Sequence, residues 1–318
     1  MLCLGVESTA HTFGIGIVNE EGKILSNEFS TYKPEKGGIV PNEAAKHHRT
    51  VKEEILRKAL EKAGIELEDI DLIAVALGPG LPPCLLEGFK FALELKRKTK
   101  KPLLGVNHCQ AHIEIGKLIN QIEEPIVLYC SGANTQVIDN REGKYYILGE
   151  TEDIGIGNAI DKLGRLLDIP FPAGEKIEEL AKKGSWIPLP YSIKGMDVCF
   201  SGILAECRRK LKAGIKKADI CFSFQEVAFS MLCEVVERAL AFSEKDKVLI
   251  VGGVGANQRL KEMVEIMCKE RGAKAFYVPP ELVRDNGAMI AWNGILNYLQ
   301  KKFLEPLDIK PDWRVDEI

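Results

Sequence analysis

His108 and His112 stand four residues apart in the stretch VNHCQAHIEIG, which follows the apolar run Leu103-Leu104-Gly105 and opens a helix. On a helix, residues at that spacing lie one turn apart on the same face, so both imidazoles can address a single ion. The chemistry this permits is metal ligation. Zinc proteases with an HExxH pattern carry their glutamate base directly after the first histidine. Here that position is Cys109, which disfavours a hydrolytic metalloprotease. Histidines that are merely packed or solvated remain the alternative until further ligands are found. Asp285, in Asp285-Asn286-Gly287 at the start of the last predicted helix, is a carboxylate that could provide a third ligand from the opposite lobe.

A second group of residues suits a nucleotide. Glu7, Ser8, Thr9 and His11 occupy the tip of a predicted hairpin, and Ser131-Gly132-Ala133-Asn134-Thr135 form another small, polar turn between strands. Such turns can offer backbone N–H groups to a phosphate, although a plain polar hairpin accounts for the first equally well. In KVLIVGGVGANQRL a buried strand runs into Gly252-Gly253 and a helix begins near Ala256, so backbone can approach a flat ligand with no side chain in the way. Asn257 projects at that helix start. Asp161 and Glu178, the latter one turn after Gly174, are carboxylates able to accept hydrogen bonds from ribose hydroxyls. Solvated surface positions are the alternative for both.

The elements that must position these groups follow from periodicity. Leu2–Val6, Phe13–Val18 and Lys23–Ser30 read as three antiparallel strands. Pro41 starts a helix whose stripe Ala44, His48, Val51, Ile55, Ala59 and Ala63 makes His48 a core residue. A strand at Asp71–Leu77, the loop Gly78-Pro79-Gly80 and a helix from about Pro83 to Thr99 lead to the histidine strand. Hairpin strands reappear after Glu124, and helices are predicted at Asn158–Leu167, Gly174–Lys183, Gly202–Leu211 and Phe224–Phe242. Two lobes, residues 1–122 and 123–318, each opening with a strand-turn-strand loop, are the pattern of a duplicated ribonuclease-H-like fold that clamps a nucleotide. Past Leu304 the proline-bearing, polar tail reads as an extended surface strap.

Composition narrows the classes. Forty-three Lys and Arg against 46 Asp and Glu give a net charge of -3, so no global basic field advertises nucleic acid. The basic runs at Lys96–Lys101 and Arg208–Lys212 fit solvated helix ends or local RNA contacts. Nine cysteines without a CxxC pair point to a reducing, cytoplasmic setting. No leader and no membrane span are expected, hence no membrane partner.

Taken in order, GVESTAHTFGIGIV, GGIVPNEAAKHH, GPG, NHCQAHIEIG, LYCSGANTQV, GNAIDKLGR, KGMDVCFSG, VGGVGANQRL and VRDNGAMIAW make the chain resemble one family from Met1 to about residue 300. It is similar to the universal tRNA threonylcarbamoyladenosine transferases, formerly O-sialoglycoprotein endopeptidases, in the archaeal and eukaryotic branch found in the KEOPS complex. The resemblance implies an α/β, two-lobed fold of the actin, Hsp70 and sugar-kinase superfamily. It implies one divalent metal, iron or zinc, on His108, His112 and Asp285, with Tyr129 in some states. It implies ATP or threonylcarbamoyl-adenylate at Tyr129, Cys130, Ser131, Gly132, Ala133, Asn134, Asp161, Gly174, Glu178 and Asn257. The implied reaction is transfer of the threonylcarbamoyl group to N6 of the adenine next to the anticodon in tRNAs reading ANN codons, with His11 as a candidate for assisting proton transfer. The implied partners are tRNA, a small protein kinase, a dimerising subunit and tRNA-binding subunits. One departure stands out: the family's SGGNT is SGANT here, with Ala133 in place of the second glycine. The competing readings are a small-molecule kinase of the same superfamily and a non-catalytic ATP-binding regulatory module.

Overall fold

The computed structural model describes residues 1–34, 37–304 and 306–318. The chain divides into two compact units: Met1–Pro34, Ile39–Ile119 and Arg284–Ile318 form the first, and Asn120–Val283, with Gly37 and Gly38, form the second. The first begins with β1 (Leu2–Glu7), β2 (Thr12–Asn19) and β3 (Ile24–Thr31), an antiparallel meander as the alternation predicts. Then come α1 (Pro41–Ala63), β4 (Leu72–Gly78), α2 (Pro82–Thr99), β5 (Leu103–Asn107) and α3 (His108–Asn120). The sheet order is β3-β2-β1-β4-β5, with β4 parallel to both β1 and β5. Every residue of β4 and β5 is buried, as expected of parallel strands covered on both faces. Proline opens α1, and Gly64 closes it in the left-handed region at φ 69°, where glycine meets no steric penalty.

The second unit repeats this order. Its strands β6 (Ile126–Cys130), β7 (Thr135–Arg141) and β8 (Lys144–Glu150) form a meander. Helices α4 (Ile156–Leu166) and α5 (Gly174–Ala181), the short pair β9 (Ile193–Lys194) and β10 (Asp197–Val198), and helices α6 (Ser201–Lys212) and α7 (Lys217–Ser243) follow. Next are β11 (Lys247–Val251), α8 (Gln258–Glu270), β12 (Lys274–Tyr277) and α9 (Pro280–Val283). Its order is β12-β11-β6-β7-β8, with β11 parallel to β6 and β12. Two sheets of the same order and sense are the duplicated ribonuclease-H-like architecture. The long helix α7 is buried along most of its length and begins at Lys217, earlier than the stripe from Phe224 predicts.

Two expectations need correction. The chain does not simply pass from a lobe 1–122 to a lobe 123–318, because α10 (Gly287–Leu299) returns to the first unit and packs on β1, β2 and β4. The cause is glycine. Gly5 and Gly16 face each other across β1 and β2. A Cβ on Gly5 would meet Gly287 O at 2.3 Å, and one on Gly16 would meet Ala288 N at 2.1 Å. The helix backbone therefore lies directly against the sheet, which side chains at these positions would prevent. The tail is likewise no surface strap. Trp313 is 9% exposed and Val315 is buried, and Trp313 joins the core built around Ile73, Val75 and Leu103. Lys310 N donates to Leu77 O at 2.6 Å and Gly80 N to Pro311 O at 2.9 Å. Among the described residues no helix is long and apolar enough to cross a membrane.

Candidate functional site

Strand β5 runs into α3 without a loop, so His108 is the first residue of that helix and His112 follows one turn later. Their rings stand 4.7 Å apart, nearly perpendicular, and both are buried. Asp285 immediately precedes Asn286, which caps α10 by accepting from Met289 N at 3.1 Å. Because α10 belongs to the first unit, Asp285 reaches the imidazoles from within that unit, which corrects the expectation of a carboxylate from the opposite lobe. One ligand atom from each of the three residues lies within 4.8 Å of the others.

The spacing inside this triad favours shared ligation over direct hydrogen bonding. His108 Nε2 and His112 Nε2 approach the same oxygen, Asp285 Oδ1, at 3.5 and 3.4 Å. A well-made N–H···O bond is shorter, at about 2.9 Å. Ligand atoms about 2.1 Å from one ion at tetrahedral angles stand about 3.4 Å apart. Two imidazole nitrogens and a carboxylate oxygen are also a donor set that zinc and ferrous iron both accept. The residues present therefore fit a divalent metal.

Sequence reasoning set Glu7 at the tip of the first hairpin and missed its part in this site. This carboxylate, at the end of β1, is fully buried. Its Oε2 stands 2.9 Å from His108 Nδ1, while its Oε1 accepts from Thr9 N at 2.6 Å and Thr9 Oγ1 at 2.5 Å. The first hairpin loop thus turns its threonine toward Glu7. A carboxylate on Nδ1 fixes the imidazole so that Nε2 presents its lone pair, the usual outer support of a metal-bound histidine. The signal was available in principle, since an acidic residue ending a wholly apolar strand has to be paired when buried.

The charges of the triad are set by one another. Burial works against charge on His108, but the Glu7 carboxylate, with help from Asp285, holds its pKa well above the ordinary value. His112 is pushed down, by burial first and then by His108 against the pull of Asp285. Burial would raise Asp285, yet the two imidazoles hold its carboxyl well below the usual range. His11 is half-buried in the loop after β1, next to Ala10, whose carbonyl oxygen stands 3.0 Å from His48 Nε2; burial foremost lowers the His48 pKa.

The nucleotide candidates lie in the second unit. Tyr129 and Cys130 end β6 and are buried. The turn that follows is held by Ser131, whose N–H donates to Asn134 O at 2.9 Å and whose hydroxyl accepts from Asn134 N at 3.1 Å. Ser131 O and Gly132 O accept from Gly157 N and Asn158 N, tying the turn to the start of α4. Gly132 and Ala133 are exposed, and Ala133 is not left-handed, so its position makes no demand that only glycine meets. Gly252 has φ 86°, and a Cβ there would strike Cys130 O at 2.5 Å. A Cβ on Gly174 would meet nothing within 4 Å. The remaining candidates have partners within the chain. Asp161 Oδ1 accepts from Ala173 N at 2.9 Å, just before α5, and Glu178 Oε1 accepts from Gln258 N at 3.0 Å. Asn257 caps α8 through Leu260 N and donates to Gln225 Oε1 at 2.8 Å.

Comparison with known proteins gives a consistent picture. Residues 23–292 match the TsaD family, described as tRNA N6-adenosine threonylcarbamoyltransferase. A protein of that name from Thermococcus kodakarensis is 51% identical over 322 residues, covering 100% of this chain and 98% of its own length. The Archaeoglobus fulgidus counterpart is 48% identical with the same coverage. A probable bifunctional tRNA threonylcarbamoyladenosine biosynthesis protein of Methanocaldococcus jannaschii is 48% identical, and the aligned region covers 60% of its length. Among solved structures, HypF of T. kodakarensis superposes with a TM-score of 0.65 at 17% identity, covering 94% of this chain and 48% of that one. Component A of the (R)-2-hydroxyglutaryl-CoA dehydratase of Acidaminococcus fermentans gives 0.59 at 15% identity, covering 94% and 98%. At such identities these structures share the fold.

Proposed function

Because the chain belongs to the tRNA N6-adenosine threonylcarbamoyltransferase family, we propose that it transfers a threonylcarbamoyl group to N6 of an adenosine in tRNA. The observation that carries the site assignment is the convergence of His108, His112 and Asp285 within 4.8 Å. These residues would hold one divalent ion, iron or zinc. Bound there, the ion supplies a Lewis-acid centre for a carbonyl oxygen on which charge develops. Glu7 keeps His108 in the tautomer that leaves Nε2 free to ligate, and burial of the pair excludes competing water.

The donor is threonylcarbamoyl-adenylate, its adenosine received by the second unit along the Ser131–Asn134 turn and the Gly252-Gly253 turn. Exposed backbone at Gly132 and Ala133, and the half-buried Gly174, where an added Cβ would meet nothing within 4 Å, leave room for phosphate or ring. Asp161, Glu178 and Asn257 would exchange their internal hydrogen bonds, to Ala173, Gln258 and Gln225, for bonds to a nucleotide. In the transfer, the exocyclic amine of the adenine next to the anticodon of an ANN-decoding tRNA bonds to the carbamoyl carbon, the bond to the phosphate oxygen breaks, and AMP leaves. The amine gives up one proton, for which His11 is a candidate acceptor. The protein partners are those of a KEOPS-type complex: a small protein kinase, a dimerising subunit and tRNA-binding subunits. The kinase reading gives the buried triad no task.

The test is reconstitution with purified components and nucleoside mass spectrometry of the tRNA. His112→Ala is expected to abolish the modified nucleoside while ATP binding is retained. Undiminished transfer by that variant would overturn the metal assignment.

A further inference from the structure

The buried amide of Asn107 joins three parts of the first unit. Its Oδ1 accepts from Gln110 N at 3.1 Å, capping the first turn of α3, and its Nδ2 donates to Trp313 O at 3.2 Å. The orientation of this amide admits no exchange of its ends, since a backbone N–H only donates and a backbone carbonyl only accepts. Gln110 carries the connection onward, its Oε1 accepting from Asn293 Nδ2 at 3.0 Å. Asn107 and Asn293 are fully buried and Gln110 is 5% exposed. Asn107 precedes His108, Gln110 lies between the two histidines, and Asn293 belongs to the helix that Asp285 introduces. The C-terminal segment closes the arrangement from the other side, with Lys310 N on Leu77 O and Gly80 N on Pro311 O at the end of β4. A Cβ on Gly78 would fall 1.8 Å from Lys310 O, so the segment lies flush on the strand end.

We propose that Asn107 is a positioning residue through which the C-terminal segment around Trp313 fixes the first turn of α3, and so sets the aim of His108 and His112 toward Asp285. This rests on the metal assignment above. Its physical content is a division of labour: the Oδ1 bond serves the helix, and the Nδ2 bond serves the register between the helix and the tail. Asn107→Asp keeps a good cap but places an acceptor against the Trp313 carbonyl, and Asn107→Ser keeps a cap too short to reach that carbonyl. Trp313→Phe keeps the carbonyl and removes part of the ring that fills the core.

The experiment uses the full chain, Zn²⁺ as the probe in competition with a chromophoric chelator, and thermal unfolding alongside. Asn107→Asp and Asn107→Ser are expected to weaken Zn²⁺ binding about tenfold, the lower end of what outer-sphere changes cause. Trp313→Phe is expected to lower Tm and leave the affinity within about twofold of the parent. If either folded Asn107 variant binds Zn²⁺ as tightly as the parent protein, the proposal is overturned. The same result with His112→Ala would instead overturn the metal assignment itself.

Discussion

Replacing Glu7 by glutamine tests the support of the metal centre most directly. The carboxylate has two acceptor oxygens and three potential donors around them: His108 Nδ1, Thr9 N and Thr9 Oγ1. Glutamine turns one of those oxygens into an NH2 group. If that group faces His108, two donors confront each other. If it faces Thr9, the hydroxyl can rotate to accept, but the backbone N–H cannot. Either way one buried donor loses its close acceptor, His108 Nδ1 being left in the first case with Thr9 Oγ1 at 3.3 Å, and such a loss costs about 1–3 kcal/mol. Metal affinity should suffer in the same range, since outer-sphere losses of about 10–100-fold correspond to about 1.4–2.7 kcal/mol. The assay is a Zn²⁺ titration of Glu7→Gln beside denaturant unfolding of the metal-free protein. The expected outcome is weaker binding together with lower stability. Lower stability with an affinity within about twofold of the parent would make Glu7 a packing residue and refute the reasoning.

Other outcomes follow from the same structure. His48 is pushed down to about 4, foremost by burial, against the opposing Ala10 carbonyl and aided by His47 and His11. Between that value and its ordinary 6.5, the unfolded chain binds a proton that the folded chain does not. Stability should therefore fall as pH drops through this window, by up to about 3 kcal/mol, and His48→Gln should flatten that limb in denaturant unfolding at stepped pH. Gly16→Ala places a Cβ 2.1 Å from Ala288 N, where only backbone can yield. It should cost about 3 kcal/mol or more and also weaken Zn²⁺ binding by displacing Asp285. Gly202→Ala, which meets nothing within 4 Å, is the matched control and should be neutral or slightly stabilising by thermal unfolding.

Much of the fold was legible because its signals are local. The apolar runs at Leu2–Val6 and Leu103–Val106, the Pro41 helix start and the spacing of His108 and His112 need only a few neighbouring residues to interpret. Asp285 was legible for the same reason, sitting next to an asparagine and glycine that start a helix. What could not be read locally is what that helix rests on. Gly5, Gly16 and Gly287 look like three unrelated glycines until the sheet pairs the first two and the helix backbone covers them. Glu7 was hidden in a similar way, since a turn explains a polar residue after a strand without any histidine 101 positions away. The tail was misread because its prolines and charges outweigh Trp313 and Val315 in composition, whereas burial is decided by those two side chains.

The return of α10 to the first unit also bears on how the chain is made. Apart from Gly37 and Gly38, the second unit is a single stretch, Asn120–Val283, but the first is completed only by Arg284–Ile318. At about 5–20 residues per second, a ribosome takes on the order of 10–30 s to make the intervening piece. During that time the face of β1 and β2 at Gly5 and Gly16 has no helix to cover it. The second unit can close while still tethered, whereas the half that holds the triad must wait for Arg284–Ile318. The nascent sheet is then exposed to chaperones for that interval, and a message truncated before codon 284 yields neither a finished core nor Asp285.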